Sequence, residues 1–178
     1  MLGTISFTGF GLYAFVQKTK GKKTMIRKCI PADKEKWCEM QAAFMAYEYQ
    51  EENVWENPLT KGDPGEIFES IIGDEDSPTL LFFVEEENTV IGFINAAYFI
   101  SVWAHGPVLF IDDFFILEPF RGRGYGEKAL HDLEEGMKAD GYRRFQLLAE
   151  ETNPGAIHFY EREGYSKQKI NFFCKYLF

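Results

Sequence analysis

Two carboxylates, Asp112 and Asp113, stand side by side in the apolar run Phe110-Ile111-Asp112-Asp113-Phe114-Phe115. Acids so placed can attract a cation and take a proton from it, or they can form a solvated strand edge or a salt bridge. Neighbouring side chains on a regular strand face opposite ways, so both acids serve one spot only if the strand bulges. An ordinary Asp, near 3.9, is a weak base. Desolvation or a second carboxylate must raise it before it takes a proton near neutral pH.

A few residues on, the chain reads Arg121-Gly122-Arg123-Gly124-Tyr125-Gly126. Glycines let a backbone approach an anion closely, and a helix start offers unpaired N–H groups at a positive dipole end. With a strand before it and a helix after it, the segment reads as a pyrophosphate cradle to which Arg121 and Arg123 add charge. It fits neither the P-loop spacing nor G-x-G-x-x-G. A mobile turn and a nucleic-acid contact are the alternatives.

The elements that must position these groups follow from periodicity. Met25 to Ile30 and Thr79 to Glu85 read as strands. Val90 to Phe99 reads as another, joined to the last by a turn at Glu86, Glu87 and Asn88. Val108 to Leu117 is a strand stopped by Pro119, Arg144 to Ala149 another, and Asn171 to Phe178 a final one. Asp33 caps a helix through about Tyr49, with Trp37, Met40, Phe44 and Tyr47 at helical spacing. Pro58 to Gly65 is loop and Glu66 to Ile72 a short helix. Gly124 to Asp140 puts Ala129, Leu130, Leu133 and Met137 on one face, and Pro154 to Glu163 is a helix with Pro in its first turn. The order is α/β with an antiparallel front half.

The composition bounds the function. The 178 residues are 46% apolar and 17% aromatic, enough to bury one core. Acids outnumber bases 28 to 19, for a net charge of −9, which argues against phosphate-backbone binding and for no nucleic-acid partner. Residues 31 to 90 hold sixteen acids against three lysines, so a cationic substrate suits that half. Cys29, Cys38 and Cys174 are odd in number and unpaired in spacing, which points to a reducing cytoplasm and to no zinc site. His105, His131 and His158 share no metal-ligand spacing. In residues 1–24 the charges follow the apolar stretch, unlike a signal peptide, and glycines break that stretch too soon to span a bilayer. No membrane partner is expected. Residues 1–24 read as an appendage, with Met25 one candidate for the natural start, and 25–178 as the working domain.

The glycine–arginine segment resembles the acetyl-CoA pyrophosphate loop of the GNAT superfamily of N-acetyltransferases. Thirty residues on, Asn153-Pro154-Gly155-Ala156-Ile157-His158-Phe159-Tyr160-Glu161-Arg162-Glu163-Gly164-Tyr165 is similar to that superfamily's second motif, Asn-x-x-Ala-x-x-Phe-Tyr-x-x-x-Gly-Phe. The resemblance runs from about Met25 to Phe178. It implies an α/β fold with a mixed, mostly antiparallel sheet flanked by helices and splayed after the motif strand, with the pantetheine arm in the splay. Within the superfamily the chain resembles the diamine and polyamine acetyltransferases. Ile111-Asp112-Asp113-Phe114-Phe115 is similar to their Leu-Glu-Asp-Phe-Phe, and Tyr47-Glu48-Tyr49-Gln50-Glu51-Glu52 to their Tyr-Glu-Tyr-x-Glu-Glu. Trp103 precedes the motif strand as a tryptophan does there, with one extra residue between. Their C-terminal acidic-tryptophan segment has no match in Ser166 to Lys175.

The resemblance implies acetyl-CoA as co-substrate, a small amine as acceptor and a homodimer. A non-catalytic acyl-CoA-binding module, or an amino-acid or peptide amine as acceptor, is the alternative. Asp112 aligns with the family's base, and a family bulge keeps Asp113 as an amine-binding candidate. Tyr160 is implied as the acid that protonates the departing thiolate. Backbone groups of Phe115, Ile116 and Leu117 are expected at the pantetheine and thioester carbonyl. Arg121, Gly122, Arg123, Gly124, Tyr125 and Gly126 are expected at the pyrophosphate. Asn153 either bonds the pantetheine arm or caps its helix. Glu48 is the candidate for the acceptor's far amine, with Tyr47 and Trp103 for its methylene chain and a cation–π contact.

Overall fold

The computed structural model describes residues 24–51 and 62–175. Residues 1–23, residues 52–61 (with Glu52 and the first half of the expected 58–65 loop) and residues 176–178 lie outside it, as do the side chains of residues 49–51. The chain forms two compact units, one through Leu147 and one from Leu148 on.

The first unit is built on a five-stranded sheet in the order β1-β2-β3-β4-β5. Its strands are β1 (Ile26–Lys28), β2 (Thr79–Glu86), β3 (Thr89–Ser101), β4 (Gly106–Ile116) and β5 (Arg144–Leu147). The first three pairings are antiparallel and β4–β5 is parallel, which is the mixed, mostly antiparallel sheet expected. Glu87 and Asn88 turn β2 into β3 with φ of 49° and 66°. Two successive left-handed residues match the right-handed twist of the flanking strands.

One face of the sheet packs on α1 (Lys34–Glu51) and α2 (Pro64–Gly73). Trp37, Met40, Phe68, Leu81, Phe83, Phe93 and Phe115 form the buried cluster between them, with Phe44 and Tyr47 packed against it. Phe44 meets Phe93 edge-on, centroids 5.7 Å apart. On β2, Leu80, Phe82 and Val84 point the other way and are equally buried. The expected apolar stripe Ala129, Leu130, Leu133 and Met137 is buried on α3 (Tyr125–Ala139). That helix is tied to the β1 edge by the Met25 N–H, which donates to Asp132 Oδ2 at 2.7 Å.

Two expectations are corrected here. Asp33 does not cap α1 directly. It ends a short 3-10 turn (Pro31–Asp33), and its carboxylate accepts from the Ile30 N–H at 2.7 Å while pairing with Arg27 at 2.7 Å. The anticipated last strand is absent over residues 171–175, which are irregular and exposed. An alternating apolar pattern becomes a strand only with a ladder partner, and none pairs with those residues among the described ones. Among the described residues, the second unit's regular element is α4 (Pro154–Arg162).

Candidate active site

β4 is the strand that positions the acids. Its register to β3 slips between Asn95 and Ala96, so that Asn95 faces Asp113 while Ala96 faces Ile111. Asp112 is therefore the extra residue of a β-bulge. The bulge re-aims neighbouring side chains and relieves the opposition a regular strand would impose on the pair. Asp112 is exposed and Asp113 half-buried. Desolvation raises the Asp112 carboxyl above its ordinary value. Asp113 is pushed up to about 6, first by desolvation and then by the charges of Asp112 and Glu48, against a hydrogen bond from Asn95 that lowers it. Asn95 Nδ2 donates to Asp113 Oδ2 at 2.7 Å, and Trp37 Nε1 donates to Asn95 Oδ1 at 3.2 Å.

Neither Asn95 nor Trp37 is among the sequence-predicted site residues. The available signal was a single amide in the otherwise apolar core of β3, on a strand that pairs with the acidic one.

β5 pairs with β4 only from Val108 to Ile111, so among the described residues the edge of β4 beyond Ile111 is open. This is the splay the resemblance implied. The N–H of Leu117 donates to the Ile91 carbonyl at 2.9 Å and so points into the sheet, which corrects its expected place at the cofactor. Successive residues direct their backbone groups to opposite edges. Phe115 thus shares the inward sense of Leu117, and Phe114 and Ile116 face the open edge. The Ile116 carbonyl already accepts Arg121 Nε at 2.7 Å.

After a second 3-10 turn (Glu118–Phe120) comes the glycine–arginine segment. Gly122 and Gly124 adopt φ of 70° and 78°, and a Cβ at either would meet open space. Gly124 begins α3 without a side-chain cap. The first N–H groups of a 15-residue helix are thus presented bare beside the exposed, left-handed glycines, an arrangement suited to an anion. Arg123 is exposed, its guanidinium 5.2 Å from the Tyr125 ring. Arg121 turns away from that cradle. Its guanidinium lies 4.2 Å from the Tyr47 ring centre and 5.1 Å from that of Phe115.

Tyr47 and Glu48, at the end of α1, thus come to the same region as Asp113, through the Tyr47–Phe115 ring contact and the Glu48 charge. Trp103 does not. It sits in the loop closing the β3–β4 hairpin, 88% exposed beside the equally exposed Val102. Asp113 lies seven residues beyond Gly106 along β4, roughly 23 Å away at the rise of a strand, too far for an indole to reach.

In the second unit, Asn153 caps α4 by accepting from the Ala156 N–H at 2.9 Å, the simpler of its two expected roles. The Tyr160 ring packs between Phe159 and Tyr165, at 5.0 and 5.4 Å. Burial pushes its phenol up to about 12, which keeps it protonated across the working range.

A sheet opened beside an uncapped, glycine-led helix is an α/β scaffold of the kind that takes a phosphate-bearing cofactor. Residues 34–165 match the acetyltransferase (GNAT) family, and the chain belongs to that family, whose co-substrate is acetyl-CoA. It is 34% identical over 61 residues to YycN, an uncharacterized N-acetyltransferase of Bacillus subtilis, covering 34% of this chain and 39% of that one. It is 34% identical over 99 residues to MJ1207, an uncharacterized N-acetyltransferase of Methanocaldococcus jannaschii, covering 54% and 42%. The matches thus span about two fifths of those relatives' length.

Among solved structures, an aminoglycoside acetyltransferase from an uncultured soil metagenomic sample, in complex with sisomicin, superposes with a TM-score of 0.67. It is 16% identical, over 85% of this chain and 95% of that one. A ribosomal-protein-alanine N-acetyltransferase from Brucella melitensis gives 0.64 at 10% identity, over 85% and 98%. At these identities the likeness is one of fold. Among the described residues, no helix is long and apolar enough to cross a membrane.

Proposed function

We propose that residues 25–178 transfer the acetyl group of acetyl-CoA to a primary amine of a small diamine or polyamine. The observation that carries this reading is the acidic pair at the β4 bulge, with Glu48 acting on it beside an open sheet edge. Acetyl-CoA supplies an activated acyl carbon and a thiolate leaving group. Gly122, Gly124, Gly126, Tyr125 and the bare start of α3 fit its pyrophosphate, with Arg123 adding charge. The edge groups of Phe114 and Ile116 fit an amide-bearing arm. Asn153, whose Oδ1 serves its own helix, has its NH2 group to offer.

The acceptor arrives as an ammonium near 10, and only its neutral form attacks. Giving the proton to a carboxyl at about 6 is uphill by roughly 5 kcal/mol, against roughly 8 for a carboxyl near 4. The acidic pair reduces the cost of that step, and Glu48 adds a charge for a second amine. Tyr160, held protonated by burial, is the hydrogen-bond donor for the departing sulfur. The three free thiols suit a reducing cytoplasm. The exposed apolar hairpin tip, Phe99, Ile100, Val102 and Trp103, supports a homodimer.

Thiol release from acetyl-CoA tests the reading, across a panel of 1,4-diaminobutane, spermidine, an aminoglycoside, an amino acid and a peptide amine. Fastest release with the first two is expected. Acetyl-CoA binding without release to any of them would leave a binding module.

A further inference from the structure

The buried stretch of β3 carries one amide side chain, Asn95, and it is only 8% exposed. A buried amide must find partners, and this one has two at opposite ends. The indole N–H of Trp37 is a donor and nothing else, so it selects Oδ1 of Asn95. The NH2 end is thereby turned toward β4, where it donates to Asp113 Oδ2 at 2.7 Å. Reversing the amide would set NH2 against N–H and carbonyl against carboxylate, two repulsions in place of two hydrogen bonds. Trp37 is itself fixed, buried and packed on Phe68 with centroids 5.5 Å apart. A core helix thus dictates, through one amide, how an acid on the bulged strand is aimed. With Oδ2 engaged, Oδ1 is the oxygen left to face an acceptor.

We propose that Asp113 is the group that takes the acceptor amine's proton, and that Asn95 and Trp37 are positioning residues that aim its carboxylate. The proposal rests on the amine-acetyltransferase reading and assigns the base within it. An ammonium N–H bond breaks and its proton goes to Asp113 Oδ1. The nitrogen lone pair then forms the C–N bond at the acyl carbon, and the C–S electron pair leaves on sulfur. The second proton of the now cationic nitrogen ends on that thiolate, giving the neutral amide and the free thiol, while Asp113 returns its proton to water. Among the described residues, the charged groups acting on Asp113 are Asp112 from the bulge and Glu48 from α1, which both raise it, while the Arg121 guanidinium stacks over Tyr47 and Phe115. The Asn95 bond opposes them and keeps the carboxylate populated near neutral pH. Asp112, the exposed member of the pair, is left to attract the cation.

Two measurements separate this assignment from the reading beneath it. In the protein without substrates, carboxyl 13C NMR should show Asp113 titrating at about 6. Asn95→Leu should move that titration up by roughly one pH unit, since a hydrogen bond to the charged form is lost. Trp37→Phe, which keeps the ring stacking but not the N–H, should move it in the same direction by less. It also serves if the leucine variant does not fold. A titration unmoved in the folded variants overturns the relay.

With acetyl-CoA and 1,4-diaminobutane, the acid limb of kcat/KM should follow each variant's NMR value. Asp113→Asn should lower kcat by roughly 10²–10⁴-fold with the acetyl-CoA KM unchanged. Full turnover in Asp113→Asn, with the loss falling on Asp112→Asn instead, overturns the assignment. A wild type that titrates as described but acetylates no amine overturns the proton-taking role together with the acetyltransferase reading, while the positioning by Asn95 and Trp37 stands.

Discussion

The guanidinium of Arg121 lies 4.2 Å from the ring centre of Tyr47, which joins the glycine segment before α3 to the end of α1. The same side chain donates from Nε to the Ile116 carbonyl at 2.7 Å. One residue therefore braces the open edge of β4 and the helix that carries Glu48. A stacked guanidinium with a second hydrogen bond is not replaceable by a point-like ammonium. Arg121→Lys should raise KM for acetyl-CoA and for the amine together. Crossing it with Tyr47→Leu in a double-mutant cycle should give a coupling of about 0.5–2 kcal/mol. Additive effects on kcat/KM would show that the contact is incidental.

Asp113 also has a stability signature that needs no substrate. Folding raises its carboxyl from 3.8 to about 6, so the folded chain holds that proton more tightly than the unfolded one. The resulting stability is fully present below about pH 4 and is lost as pH rises through 6, a change of at most roughly 3 kcal/mol. Asp113→Asn keeps an acceptor for Asn95 and removes the charge. It should be more stable than wild type at pH 7.5 and converge with it toward pH 4. Urea midpoints at both pH values check this, and equal midpoints at pH 7.5 would show that the carboxylate is not held at a cost.

At the glycine cradle the backbone and the ligand make different demands. A Cβ at Gly124 meets nothing in the protein, but φ is 78°, so Gly124→Ala should cost about 1–2 kcal/mol of stability through backbone strain. The same Cβ would stand where an anion must approach the N–H groups of α3. Acetyl-CoA affinity, measured by calorimetry on the folded variant, should fall at least about tenfold, with amine KM little changed. Unaltered affinity would place the pyrophosphate elsewhere.

Much of the scaffold is legible in the residues because local pattern and burial agree. The stripe Ala129, Leu130, Leu133, Met137 is the buried face of α3, and the acidic-amide turn at Glu87-Asn88 does close a hairpin. The bulge was implied by the family resemblance, as the condition for the two adjacent acids to serve one spot, and it is there. What was not legible depends on registers set across long stretches of chain. Trp37 and Asn95 meet 58 residues apart in sequence, and no local pattern announces an indole aimed at an amide. Arg121 reads as a phosphate ligand from its neighbours, yet an aromatic face and a free carbonyl capture it first. Trp103 is next to the motif strand in sequence but lies at the far end of it in space, since a strand separates its ends by its full length.

The charge of the acceptor is the remaining expectation with a direct readout. Asp112 and Asp113 on β4 and Glu48 on α1 share one region of the site, with Glu48 acting on Asp113 through its charge. A monocation satisfies one of these acids, whereas a diamine can place one nitrogen at the bulge and the other toward Glu48. A single exposed pairing contributes at most about 1 kcal/mol, but a partly desolvated group can contribute more. 1,4-Diaminobutane should therefore exceed butylamine in kcat/KM by roughly tenfold or more at low salt. The ratio should shrink as ionic strength rises, since salt screens exposed charges from one another. Glu48→Gln should reduce the ratio chiefly by raising KM for the diamine, leaving kcat and the butylamine rate close to wild type. Equal rates for the two amines, or a preference indifferent to both salt and Glu48, would show that the acids do not read the second charge and that the acceptor is a monoamine.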